Sequence, residues 1–439
     1  MEKREFARRR KRLMDSVDSG AIIIQPNAPE RIRNRDVHYP FRPDSDFYYL
    51  SGFPEPESVV VLVPGRPQGE YLLFCREKDP EAETWHGRRA GLEGACEEYG
   101  ANDAFPITDM DDILPGLLEN KERIYYTMGR YADFDQRLVS WLNRVTSKGR
   151  TGVHAPDQFV SLGHILHEMR LFKSSQELKA MRRSASIAAE AHQRAMAITR
   201  PGMREYQVEA EILNCFMHNG ARSAAYPSIV GGGANSCILH YTENDATLKD
   251  GDLLLIDAGA EYDSYASDVT RTFPVSGEFS EMQKLAYDVV LEAQAAAIAE
   301  VRTGNSWNEP HDAAVEVITR GLIDLGILKG RLRKLIDAEA YRPYYMHKTG
   351  HWLGMDVHDV GDYKVADDWR VFEPGMVTTV EPGLYFAASL KDLPQQWWNI
   401  GIRIEDDVLV TETGHEVLTK EAPKTIEDVE SVMQKARAA

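Results

Sequence analysis

Apolar residues along the chain fall into short runs, and their spacing changes character near residue 172. Before that point, strand-like runs at residues 21–24, 58–63, 71–74 and 123–126 alternate with helical stretches at 113–120 and 134–145. That alternation predicts an α/β domain. Lys173-Ser174-Ser175-Gln176-Glu177 marks a boundary, because Ser174 or Ser175 can cap the helical run that extends to about residue 198, ahead of Pro201-Gly202. The division expected is therefore residues 1–172 and residues 173–439.

The second part carries stronger strand signals. Residues 252–257 form an apolar run that ends in a carboxylate, Asp257, followed by a turn-rich stretch at 258–265 and a returning strand at 266–275. Residues 376–386 and 399–410 read as another strand pair, joined by a loop containing Pro394, with helical stretches at 281–300 and 307–325 lying between the two pairs. Helices followed by an acid-bearing strand pair thus occur twice, which predicts two related halves.

Acids on apolar strands are the chemical signal. Asp257 closes its run and Asp268 opens the returning strand, so a hairpin brings the two carboxylates together. Glu381 and Glu405 repeat the arrangement on the second pair. Ionised carboxylates side by side repel and are costly to desolvate unless a cation neutralises them. Any one of these acids alone reads equally well as a surface residue on an edge strand; the four together do not. Residues 347–359 add His347, His351 and His358, three of only 13 histidines, on a segment punctuated by glycines. One histidine with four carboxylates is a hard donor set that suits Mn²⁺, and also Co²⁺, Fe²⁺ or Zn²⁺. Four carboxylates exceed what one catalytic ion usually takes, so two ions roughly 3.5–4 Å apart are expected.

Composition narrows the setting. The 439 residues are 43% hydrophobic and 27% charged, with a formal net charge of -18. That balance is globular and disfavours nucleic acid or an anionic membrane as partner. No apolar stretch is long enough to span a bilayer, and the basic run from Lys3 to Arg12 lacks the apolar segment of an export signal. Cys75, Cys96, Cys215 and Cys237 show no CxxC spacing, and a reducing, cytoplasmic setting is expected.

The motifs Ile256-Asp257-Ala258-Gly259, Ser267-Asp268-Val269-Thr270-Arg271-Thr272, Gly350-His351, Val380-Glu381-Pro382-Gly383-Leu384-Tyr385 and Gly401-Ile402-Arg403-Ile404-Glu405-Asp406 resemble the pita-bread metallopeptidases. That group includes methionine aminopeptidase, prolidase and aminopeptidase P, with creatinase as a metal-free relative. The stretch from Asn34 to Phe53 and Trp85-His86-Gly87-Arg88-Arg89 are similar to the N-domain of bacterial aminopeptidase P, as are residues 226–233 and 238–241. Lys348 departs from the pattern, which more often has a small residue there.

The resemblance implies an α/β N-terminal domain followed by an α+β pita-bread catalytic domain, with two pseudo-symmetric halves and a curved antiparallel sheet covered by helices. It implies metal ligands Asp257, Asp268, His351, Glu381 and Glu405, and attack on the scissile carbonyl by a hydroxide bridging two divalent ions. Glu381 is then the general acid/base, His358 stabilises the oxyanion and His240 orients the peptide. Arg403, two residues from Glu405 and expected on the same strand face, braces a ligand carboxylate, and His347 and Tyr385 line the site. The implied activity is release of the first residue from peptides with proline in second position, by a homodimer or homotetramer. Prolidase and a non-catalytic binding protein on the same fold are the rival readings.

Overall fold

The structure is a computed structural model that describes residues 1–438. Contacts divide the chain into two compact units, Met1–Met169 and Arg170 onward. In the first, β1 (Ala21–Pro26), β2 (Val59–Leu62), β3 (Tyr71–Cys75), β4 (Asp103–Pro106), β5 (Arg123–Tyr125) and β6 (Gln158–Val160) form one mixed sheet in the order β4-β3-β2-β1-β5-β6. Every residue of β1, β2 and β3 is buried, as befits strands covered on both faces. Ile22 and Ile24 share one face and join Val59, Val61, Leu114, Leu138 and Trp141 in a core. Helices Met110–Leu118 and Ala132–Thr146 supply the last three of those residues.

The second unit opens with the 24-residue helix Ser175–Ile198. The Ser174 hydroxyl accepts the Glu177 N–H while the Glu177 carboxylate accepts the Ser174 N–H, so two end donors are satisfied reciprocally. Ala180, Ala185, Ala188, Ala191 and Ala195 make the buried face of this helix small. Antiparallel strands β7 (Ile229–Gly232), β8 (Leu253–Asp257) and β9 (Thr270–Pro274) form one sheet. Strands β10 (Val377–Val380), β13 (Asp406–Thr411) and β14 (Gly414–Val417) form another, while β11 (Gly383–Phe386) pairs with β12 (Ile400–Arg403). Helices Glu281–Glu300 and Glu309–Asp324 pack against each other between the two strand pairs in the chain.

Three expectations change. The stretch at 258–265 is more than turns: Ala260–Tyr262 pairs with Tyr265–Ala266 in a separate sheet. The returning strand starts at Thr270, so Asp268 precedes it rather than lying on it. The strands expected at 376–386 and 399–410 each break in two, at Glu381-Pro382 and at Ile404-Glu405. Pro382 has no N–H to give a ladder. The neighbouring donors turn elsewhere, Glu381 N–H to the Thr349 carbonyl and Glu405 N–H to the Thr270 carbonyl. The second of these bonds ties the first strand pair to the second.

His192, on the inner face of helix Ser175–Ile198, is fully buried and its Nε2 donates to the Ala258 carbonyl. Burial, reinforced by Arg271, lowers its pKa to about 4. A base depressed on folding stabilises the fold above its unfolded pKa, and that stability disappears as pH falls through the window from about 6.5 to 4. At ~1.4 kcal/mol per pH unit, the complete loss is about 3 kcal/mol. Urea unfolding of the protein against His192→Gln from pH 7 to 4 should show this component in the parent and its loss in the variant.

Candidate metal centre

The chain breaks are where the acids sit. Asp257 ends β8 and Asp268 precedes β9; Glu381 lies between β10 and β11, and Glu405 between β12 and β13. A side chain at a strand end can converge on its neighbours, whereas alternate residues within a strand point to opposite faces. Ligand atoms of Asp268, His351 and Glu405 all lie within 4.8 Å of one another. His351 Nε2 is 3.3 Å from Asp268 Oδ2 and 3.8 Å from Glu381 Oε1. The Tyr226 hydroxyl contacts both Asp257 Oδ1 and Asp268 Oδ1. All five groups line one cavity of about 530 Å³, together with His240, His347, His358 and Arg403.

Electrostatics shows what this set requires. Burial pushes the Glu405 carboxyl well above its ordinary value, and Asp268, Glu381 and Asp257 push it further. Burial raises Glu381 to about 7 against the opposing pull of His351 and Arg403. Burial also raises Asp268, despite its bond to His351. Four carboxylates with one buried arginine cannot all ionise at neutral pH unless further positive charge arrives. His351 is oriented to help supply the site. Its Nδ1–H donates to the Trp352 carbonyl at 3.0 Å, which leaves Nε2 facing the carboxylates. This is the usual arrangement of a ligating histidine, and the donor set fits divalent first-row ions.

A second layer fixes the first. Arg403 Nη2 donates to Asp257 Oδ2 at 2.6 Å, Nη1 to the Tyr385 hydroxyl at 3.0 Å and Nε to Thr270 Oγ1 at 3.1 Å. Thr270 in turn donates to Glu405 Oε2 at 2.6 Å. The Tyr385 hydroxyl completes the chain by donating to His347 Nε2 at 2.8 Å, whose Nδ1–H donates to the Lys348 carbonyl. His358 packs edge-on against His351, with ring centroids 4.4 Å apart. Burial and the neighbouring His351 lower its pKa, so it stands neutral with an N–H to give. Its loop is clamped by ion pairs to buried cations: Arg170 Nη2 reaches Asp356 at 2.9 Å and Asp359 at 2.5 Å, and Lys173 Nζ reaches Asp359 at 3.1 Å.

The description "Metallopeptidase family M24" matches residues 179–412, and "Aminopeptidase P, N-terminal domain" matches residues 6–125. The chain belongs to metallopeptidase family M24. Along 438 residues it is 45% identical to the Xaa-Pro aminopeptidase of Escherichia coli, covering 100% of this chain and 99% of that one. It is 36% identical to the mitochondrial intermediate cleaving peptidase 55 of Arabidopsis thaliana, covering 98% of this chain and 82% of the relative. Among solved structures it is similar to Pseudomonas aeruginosa aminopeptidase PepP, with a TM-score of 0.99, 56% identity and coverage of 100% and 99%. A zinc-substituted E. coli aminopeptidase P in complex with product has a TM-score of 0.97 at 45% identity, with the same coverage. The family, together with 45% identity over the full chain to an Xaa-Pro aminopeptidase, marks this protein as a metal-dependent hydrolase.

Two expected placements need correction in this M24 site. Tyr385 does not line the cavity; it is 1% exposed, packs with Ile229, Tyr241 and Leu255, and reaches the site only through its hydroxyl. Arg403 does not share a strand with Glu405, because β12 ends at Arg403. It does hold a ligand carboxylate, that of Asp257. Tyr226, Thr270, Arg170, Lys173 and Asp407 also shape the site, beyond the residues expected there. Asp407 is buried and takes the Asp268 N–H on both carboxylate oxygens at 3.2 Å. Thr270 was visible as the hydroxyl two positions after Asp268. Arg170 left no sequence signal, since its partners lie 186 and 189 residues away.

Thr270→Val keeps the shape of the side chain and removes the bonds to Glu405 and Arg403. We expect metal affinity to fall about 10–100-fold, measured by competition with a chelator, with the circular dichroism spectrum unchanged.

Proposed function

We propose that this protein is an Xaa-Pro aminopeptidase that releases the first residue from peptides with proline in second position. The observation that carries the reading is one cavity lined by a histidine and four carboxylates together with His240 and His358. Full-length similarity to Xaa-Pro aminopeptidases supports it. In this reading Asp257, Asp268, His351, Glu381 and Glu405 would together hold two divalent ions. When bound, the two ions, proposed to be Mn²⁺, supply a water that ionises near neutral pH and polarise the scissile carbonyl.

The residues then divide the work. Glu381 accepts the proton of the attacking water and delivers it to the departing proline nitrogen. His358 donates its N–H to the carbonyl oxygen as negative charge develops there, a contribution often worth about 3 kcal/mol. His240 orients the peptide across the cavity. Arg403 keeps Asp257 in place, and Tyr385 and His347 hold Arg403 in turn. Pro227, Ile229, Leu239 and Val357 provide an apolar wall. An imide nitrogen has no N–H, so a proline ring can lie on such a wall without leaving a donor unpaired.

The catalytic domain is taken to begin at residue 173, supported by the capping box at Ser174. A homodimer or homotetramer is favoured by large exposed apolar side chains on the N-terminal unit, among them Ile32, Tyr39 and Trp85, the last 78% exposed. A cytoplasmic setting is supported by four free cysteines among the described residues, and no helix there is long and apolar enough to cross a membrane.

After chelation, we expect arginine release from Arg-Pro-Pro to return on adding Mn²⁺, with Arg-Pro cleaved slowly and Arg-Ala-Ala not at all. Preference for the dipeptide would mark a prolidase, and no cleavage of any of them would remove the peptidase reading. Asp268→Ala and Glu405→Ala should abolish turnover and lower bound metal. His358→Ala should keep its metal by elemental analysis and lose about 10²–10³ in kcat.

A further inference from the structure

A second cavity, of about 520 Å³, lies on the other side of the segment that carries the ligand His351. The two cavities share only Lys348 and Gly350 as lining residues, so this short stretch is the partition between them. The walls are aromatic and aliphatic: Trp307, Tyr363, Trp369 and Phe372 with Val301 and Pro310. Trp307 packs at a tilt against Trp352 and Tyr363, with ring centroids at 4.1 and 4.7 Å, so that wall is built from interlocked rings. The volume falls within the range of small-molecule sites, about 300–1,000 Å³.

Charge identifies the class of occupant. The chain has 69 acidic residues against 51 basic ones, yet no Asp or Glu lines this cavity while Lys348 and Lys364 do. Lys364 Nζ lies 4.6 Å from the centre of the Trp369 ring, at the edge of the aromatic wall. Apolar walls with cations and no anions complement a flat hydrophobic body bearing one negative charge. We propose that this cavity binds a small aromatic monocarboxylic acid, with its ring among Trp307, Tyr363 and Phe372 and its carboxylate toward Lys364 and Lys348.

The cavity is coupled to the metal centre by covalent and hydrogen-bonded neighbours. Its lining residue Thr349 holds His311 Nδ1 at 2.8 Å and the Tyr345 hydroxyl at 2.6 Å through Oγ1. The Thr349 carbonyl accepts the N–H of Glu381 at 2.8 Å. Gly350 sits close against β10, where a Cβ would meet the Thr379 carbonyl oxygen at 2.1 Å. An occupant that shifts Thr349 or Gly350 would shift the neighbouring His351 and Glu381 with them, so inhibition without competition is the expected outcome.

Indole-3-propionate is the probe and its amide the uncharged control, titrated into the metal-loaded full chain by calorimetry. We expect the acid to bind and Lys364→Glu to weaken it by about fivefold while leaving the amide unchanged. Val301→Trp, which fills the cavity, should remove binding of both. In the tripeptide assay the acid should lower kcat without raising KM. No binding of the acid at about 5 mM, equal weakening of acid and amide by Lys364→Glu, or displacement by a proline peptide would each overturn the proposal. Lys364 lies on a short exposed hairpin, so its variant remains informative if Val301→Trp fails to fold. Calorimetry reads the site independently of the peptidase reading, and only the kinetic arm rests on it.

Discussion

Four carboxylates gathered in one cavity with one histidine, three of them buried and Glu381 half-buried, are the constraint around which the second unit is organised. Desolvation raises the cost of each negative charge, and each neighbour raises it further, as the upward shifts of Asp268, Glu381 and Glu405 show. An arrangement of this kind destabilises the metal-free protein and is retained because it binds cations strongly. The fold tolerates it by placing every acid at a strand end or strand break. There the backbone can turn ligand atoms inward without burying more polar groups than it satisfies.

Those breaks also join the two strand pairs. The Glu405 N–H leaves its own ladder for the Thr270 carbonyl, and the Thr270 hydroxyl returns to the Glu405 carboxylate. Below them Arg271 is completely buried against Asp406 at 2.7 Å, and Lys424 reaches the other oxygen of that carboxylate at 2.6 Å. These cations hold the Asp406 carboxyl below its ordinary value against the cost of burial. Asp406 thus stays charged as a structural group, while its neighbours Glu405 and Asp407 are driven upward. Three successive acids have different electrostatic environments because only one of them has its own cations.

The segment at 347–351 works on both of its sides. Toward the carboxylates it presents His347 and His351; away from them, Thr349 is gripped by His311 and Tyr345. Its registry is set by backbone bonds to β10, among them the Thr379 N–H to the His351 carbonyl. The glycine at 350 is required there because the facing backbone leaves no space for a side chain. A ligand residue on so short a connection has little freedom of its own, so whatever fills the cavity behind it acts on the metal site directly.

The sequence by itself determined the elements and the chemistry. Runs such as Leu253–Asp257 and the capped helix Ser175–Ile198 depend on local patterning and local hydrogen bonds, which periodicity and capping residues report faithfully. Acids closing apolar runs announced a cation site for the same reason, since their cost is written in their immediate neighbours. Tertiary structure alone decided where those strands break, because the lost ladder bonds are replaced by partners such as Thr270 and Thr349, far away in the chain. It alone placed Tyr226 between Asp257 and Asp268, moved Tyr385 behind the wall, and gave His358 its clamp from Arg170 and Lys173. Such partners are chosen by packing between segments 31 to 189 residues apart, and neither spacing nor period carries that information.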